Sequence, residues 1–117
     1  MLSRLVLAVA VLAALVVLSL RTTSSAASAE APVPCTTAAL ARAFDGQFHL
    51  SSIQNYGCEG EWAYVWATVG TGEDAIGVTE VLAYDAKSAR WALVSRALDC
   101  KATILPSVIY RQGCFSN

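Results

Sequence analysis

Trp62-Ala63-Tyr64-Val65-Trp66-Ala67-Thr68-Val69 is the stretch that decides the fold of this chain. A pleated strand sends successive side chains to opposite faces, so Trp62, Tyr64, Trp66 and Thr68 share one face and Ala63, Val65, Ala67 and Val69 the other. Aromatic and β-branched residues at this density are the residues that strands favour. Both faces are apolar, which makes this strand the centre of any account of the core.

Downstream, residues 70–77 hold three glycines, two acids and Thr71, and read as a polar loop. Residues 78–85 and 91–98 read as two further strands, and residues 86–90 are short enough to join them as a hairpin. Charge offers a register. If Asp85 lies opposite Trp91, then Glu80 faces Arg96, Leu82 faces Val94 and Tyr84 faces Ala92. That face would be the wetter one, and Val81, Ala83, Trp91 and Leu93 would carry the core. Upstream, residues 48–53 alternate imperfectly as a strand, and residues 54–61, rich in Gly and Asn, read as a turn. Thr36 or Thr37 can cap a short helix through Phe44, with Leu40 and Phe44 as its core anchors and Gly46 as its stop. At the other end, Pro106 suits the first turn of a helix through Gln112, and Gly113 suits its end. The expected fold is α+β: a short N-terminal helix, an antiparallel three- to four-stranded meander and a short C-terminal helix.

The chain begins with a different kind of segment. One charge, Arg4, precedes the apolar run at residues 5–20, and Ala27-Ser28-Ala29 fits a signal-peptidase site. The expected division is a signal peptide at residues 1–29, a flexible tail at residues 30–34 and a folded domain at residues 35–117. The competing reading is an uncleaved anchor, which would leave the domain outside the membrane. Sixteen helical residues reach about 24 Å against a hydrocarbon core of about 30 Å, and Arg21 stands directly after the run. Without the leader the chain carries six Lys/Arg against nine Asp/Glu, a formal net charge of −3. An acidic domain without a basic cluster has no footprint for nucleic acid.

A domain of this size buries little core and needs reinforcement. Cys35, Cys58, Cys100 and Cys114 supply it, as two disulfides with three conceivable connectivities. The preferred pairing is Cys35 with Cys58 and Cys100 with Cys114, since sequential bridges tie each end of the domain to nearby sheet. The second closes a loop of about 15 residues, for which chain entropy gives about 3 kcal/mol. Without a C-x-x-C pair, and with His49 the only histidine, a zinc site is not expected, nor any other cofactor.

Function is harder to read than fold. Two short helices cover one face of a sheet, yet the Trp62 strand is apolar on both. Either the sheet curls over its aromatics, or Trp62, Tyr64 and Trp66 form an exposed face for a protein partner, since Trp and Tyr anchor binding surfaces. Catalysis has weaker support. His49 with Ser51 and Ser52 lacks a nucleophile elbow, and Glu59 and Glu61 sit between glycines as a solvated turn. Residues 70–74 lack the lysine of a phosphate loop, and no EF-hand pattern surrounds their acids.

Cys35-Thr36-Thr37 opening a helix, Gly57-Cys58 before the Trp62-Ala63 strand, the Trp91 strand followed by Cys100, and residues 106–114 together resemble small exported cysteine-containing proteins of high-GC Gram-positive bacteria. The resemblance spans residues 35–114 and implies compartment and fold, with no activity and no catalytic residue. The expectation is therefore an exported, non-catalytic binding or structural module of the cell envelope or exterior. A small inhibitor of an extracellular enzyme, using residues 70–77 or the aromatic strand, is the alternative, and a hydrolase is a distant third.

Overall fold

The sheet forms around Trp62–Val69. In the computed structural model, which describes residues 32–115, Trp62–Val69 is a strand at the bounds expected and pairs on both sides. We number the strands β1 (Leu50–Glu59), β2 (Trp62–Val69), β3 (Ile76–Asp85) and β4 (Arg90–Leu93), and the helices α1 (Thr37–Ala41), α2 (Arg96–Asp99) and α3 (Ser107–Gly113). The four strands make an antiparallel meander in the order β1-β2-β3-β4. The leader, its cleavage after Ala29 and the anchor alternative lie outside the described residues. The compact unit that holds the sheet begins at Val33.

Thr36 caps α1: its hydroxyl accepts a hydrogen bond from the Ala39 N–H at 3.1 Å. The helix tightens into a 3₁₀ turn at Arg42–Phe44, and the chain leaves through Gly46 at φ 78°. Leu40 and Phe44 are fully buried, as their spacing implied. They pack with Ala63, Val65, Ala67 and Val69 of β2, Leu82 of β3 and Trp91 of β4. The Trp91 indole N–H donates to the Pro34 carbonyl at 2.7 Å, and Cys35–Cys58 fastens the same N-terminal segment to β1.

The other face of the sheet has its own core. Tyr64 and Val81 pack with Leu105 and Ile109, the last from α3, and with the second disulfide, Cys100–Cys114. The two helices therefore sit on opposite sides of the sheet, α1 over one face and α3 over the other. This resolves the apolar character of both faces of β2: each face has one short helix to meet, and neither helix is long enough to cover its face completely.

Four expectations are corrected. β1 runs through Glu59, so residues 54–59 are strand and not turn; the turn is Gly60 and Glu61 alone. Gly57 is there because β1 crosses the Tyr64 ring: a Cβ at Gly57 would lie 2.6 Å from Tyr64 Cε1. Two bulges, between Leu50 and Ser52 and between Ile53 and Asn55, absorb the broken alternation that disguised the strand.

The β3–β4 register is shifted by one residue. Asp85 pairs with Arg90, Tyr84 with Trp91, Ala83 with Ala92 and Leu82 with Leu93. Leu82, Tyr84, Trp91 and Leu93 therefore share the α1 face, while Val81 is buried on the α3 face. Apolar matching decides this register, with the Tyr84 and Trp91 rings edge-on at 5.2 Å. Asp85 secures the turn by accepting from the Lys87 N–H at 2.9 Å and the Ser88 hydroxyl at 3.1 Å.

β4 also ends early, at Leu93, and residues 96–99 turn into α2. The last helix ends at Gly113, as expected, but Pro106 stands at its N-cap rather than in its first turn. Gly113 serves close packing: a Cβ there would lie 2.6 Å from Val81 Cγ2 and 3.2 Å from Tyr64 Cβ. Without a side chain at 113, α3 can rest directly on β2 and β3.

Candidate functional site

Along the α3 face of β2, the three aromatics meet three environments. Tyr64 lies under α3 and is 8 % exposed; Trp62 is half-buried beside the same core; Trp66, at the margin of the helix, is 39 % exposed. α3 thus takes the centre of the aromatic row into the core and leaves its last ring accessible. That ring is held in place. Its indole N–H donates to the Gln112 carbonyl at 2.7 Å, one of the carbonyls a helix end leaves without an intrahelical partner, and its centroid lies 6.1 Å from that of Tyr64.

Around Trp66 the sheet register assembles neutral polar side chains. Asn55 of β1 and Thr79 of β3 pair directly with Trp66, and Ser52 and Gly77 flank Thr68 one row further on. Directly opposed residues of antiparallel strands point to the same face, so these rows form one shelf. Gln54, in the second bulge, donates to the Ser52 hydroxyl at 2.6 Å and to the Thr68 hydroxyl at 2.9 Å, which lays its amide across the same rows. Asn55 accepts from the Tyr56 N–H at 2.9 Å through Oδ1. None of these seven residues is ionisable.

The shelf was half visible in the sequence. Trp66 and Thr68 follow from the alternation of β2. Ser52, Gln54 and Asn55 were missed as members of the site because the bulges hid their strand, and Thr79 became their neighbour only once the β2–β3 register was known.

The loop that carries the inhibitor reading is shorter than residues 70–77, because β3 takes Ile76 and Gly77. It is exposed from Thr71 onward and built on two left-handed glycines, Gly70 at φ 87° and Gly72 at φ 57°. The Gly70 N–H donates to the His49 carbonyl at 2.8 Å, and the Ser51 hydroxyl donates to the Gly70 carbonyl. A 3₁₀ turn at Gly72–Asp74 is closed by Asp74 N–H to Thr71 and Ala75 N–H to Gly72.

The residues weighed for chemistry are dispersed. Ser51 spends its hydroxyl on the Gly70 carbonyl, His49 is exposed, and Glu59 and Glu61 stand exposed at the β1–β2 turn. Burial raises the Glu80 carboxyl above its ordinary value of 4.5, and the Arg96 guanidinium partly counters this. Arg96 also donates to the Cys114 carbonyl at 3.1 Å, tying α2 to the end of α3. Among the described residues no cluster of three His, Cys, Asp or Glu side chains is arranged to hold a metal ion. On the other side of the sheet, an open groove of about 440 Å³ runs between α1 and β1, lined by Thr37, Ala38, Ala41, Leu50 and Ile53 among others.

Comparison with protein-family models, with curated proteins and with solved structures gave no match. Function is therefore read from the geometry of the chain itself. Two disulfides belong to an oxidising, extracytoplasmic setting. No helix among the described residues is long and apolar enough to cross a membrane.

Proposed function

We propose that this protein is an exported, non-catalytic binding module of the cell envelope or exterior, and that it works through the Trp66 end of the sheet face that α3 leaves open. The observation that carries the reading is the state of Trp66: 39 % exposed, yet fixed by the Gln112 carbonyl and by Tyr64. A large aromatic held in one orientation gives up little conformational entropy on meeting a partner, which is what makes such residues anchors. Export follows the leader, with cleavage after Ala29 and a mature chain from Glu30 in the preferred case and tethering by residues 5–20 in the other.

The test is saturable binding of the oxidised exported protein to an envelope fraction of its source cells, compared between the wild type, Trp66→Leu and Tyr56→Ser. Tyr56 is an exposed aromatic paired with Val65 on the α1 face, and serves as the control. The reading expects Trp66→Leu to weaken binding at least about tenfold, the loss of one anchor residue, and Tyr56→Ser to leave it unchanged. Equal binding by the wild type and Trp66→Leu would sink it.

A second reading is supported by the loop at residues 70–75. Exposure combined with internal hydrogen bonds and a 61 % exposed Ile76 at its foot gives it the character of a preformed element that could enter an enzyme's cleft. That reading expects inhibition of an extracellular hydrolase that Ile76→Asp abolishes and Trp66→Leu spares.

A further inference from the structure

The chemistry around Trp66 narrows the kind of ligand it fits, on the premise that the Trp66 shelf is the binding surface proposed above. We infer that the shelf is a subsite for a neutral carbohydrate, with one pyranose ring against the exposed part of the Trp66 indole and its hydroxyl groups over Ser52, Gln54, Asn55, Thr68 and Thr79.

Three features of the shelf point that way. The first is charge. Neither strand row contains an ionisable side chain, so nothing there compensates a charged ligand, and charge matching selects a neutral one. The second is the mixture of groups. Amides and hydroxyls each offer both donors and acceptors, the pairing that a ligand carrying many hydroxyl groups needs. An apolar peptide segment would leave without partners the donors and acceptors that the Gln54 and Asn55 hydrogen bonds do not already use, a cost that disfavours it. The third is the aromatic ring itself. The face of an indole carries the negative part of its quadrupole, and the axial C–H groups of a pyranose present a weakly positive apolar surface to it. Trp66 can offer such a surface because the Gln112 carbonyl occupies its N–H and fixes the ring.

The geometry also sets the strength. One stacking ring and a few hydrogen bonds on an open sheet surface give a Kd on the order of 1 mM for a single sugar unit. Tighter binding would come from repeated units on a polymer, or from many copies of the protein on one glycan.

The experiment is a two-dimensional ¹⁵N–¹H NMR titration of the oxidised exported protein with three neutral probes: maltohexaose, cellohexaose and the hexamer of N-acetylglucosamine. Heparin is the charged comparison. The inference expects at least one neutral probe to shift the Trp66 indole signal together with the backbone signals of Ser52, Gln54, Asn55, Thr68 and Thr79, while heparin leaves them in place. Trp66→Leu should abolish the shifts. Because that variant also removes a half-buried ring, Gln54→Ala, at an exposed position, provides the second arm and should weaken binding about threefold. Heparin shifting the same signals, or neutral shifts centred elsewhere, would overturn the inference. If no probe moves the Trp66 signal but the envelope fraction still binds in a Trp66-dependent way, the carbohydrate assignment falls and the binding-module reading stands, with a protein partner as its remaining form. If the envelope fraction also fails to bind, both fall.

Discussion

Replacing Gly113 by alanine tests how α3 meets the sheet, and the sign of the effect is informative. In an unobstructed helix, alanine in place of glycine stabilises by about 1 kcal/mol. Here the new methyl would lie 2.6 Å from Val81 Cγ2 and 3.2 Å from Tyr64 Cβ, against an ordinary carbon–carbon separation of about 3.5–4.0 Å. Val81 is fully buried and cannot swing into solvent, and Cys114, the next residue, is bound to Cys100. α3 must therefore lift by close to the missing distance. Overpacking costs about 1–3 kcal/mol, and a 2.6 Å contact against a fully buried side chain falls in the upper half of that range, so about 1–2 kcal/mol of destabilisation remains after the helix gain of about 1 kcal/mol.

A double-mutant cycle sharpens the prediction. Val81→Ala alone opens a cavity at a fully buried position and should cost about 2 kcal/mol. In the double variant the methyl introduced at position 113 enters the space that Val81 gave up. The two single effects would add to about 3–4 kcal/mol, whereas the double variant should lie within about 2 kcal/mol of the wild type. Urea unfolding of the oxidised proteins, followed by tryptophan fluorescence with m-values compared, measures all four. Lifting α3 also draws the Gln112 carbonyl away from the Trp66 indole, so Gly113→Ala should change the Trp66 N–H signal as well. Unchanged or raised stability in Gly113→Ala, or simple additivity in the cycle, would refute the contact between α3 and β3 and with it the account of how the second face is covered.

Other consequences concern the staples, the buried acid and the hairpin. Replacing Cys100 and Cys114 by serine should cost about 3 kcal/mol and replacing Cys35 and Cys58 about 3.5 kcal/mol, because their sequence separations are 14 and 23; denaturant midpoints at matched m-values check both. Glu80, whose carboxyl is raised by burial against the counteracting Arg96, binds a proton more readily folded than unfolded. Its contribution therefore turns unfavourable as pH rises from 4.5 through the raised folded value, and the penalty is complete above it. Glu80→Gln should be more stable than the wild type at neutral pH and lose that advantage below 4.5, as read from urea midpoints along a pH series. Ala89 adopts φ 53° in the β3–β4 turn, a conformation that glycine accepts without a Cβ penalty. Ala89→Gly should raise stability by about 0.5–1 kcal/mol, and a fall in melting temperature would show that the turn is held differently.

What the sequence disclosed followed from how local its signals were. β2 could be read from its own alternation, and the cysteine pairing and the cap on α1 rest on neighbouring residues. The β3–β4 register could not, because Glu80 and Arg96 offered a cross-strand charge pair that competes with Tyr84 against Trp91 and Leu82 against Leu93. Apolar matching wins, and Arg96 reaches the neighbourhood of Glu80 from the turn beyond β4. β1 was obscured because Gly57 and Asn55 look like turn residues when the Tyr64 ring and the bulges that explain them lie elsewhere in the chain. The same displacement hid half of the candidate site. Trp66 was legible as an aromatic on one face of a strand, but its exposure depends on where α3 stops, and its polar neighbours depend on a bulged register.

The most direct test of the central claim is to watch the indole N–H signals of the three tryptophans during titration of the oxidised exported protein with solubilised envelope material from its source cells. Trp91 is buried and bonded to the Pro34 carbonyl, Trp62 is half-buried, and Trp66 is the exposed one of the three. The expected result is saturable shift or broadening of the Trp66 signal with Trp91 unmoved. Saturable binding that leaves the Trp66 signal unchanged would contradict it.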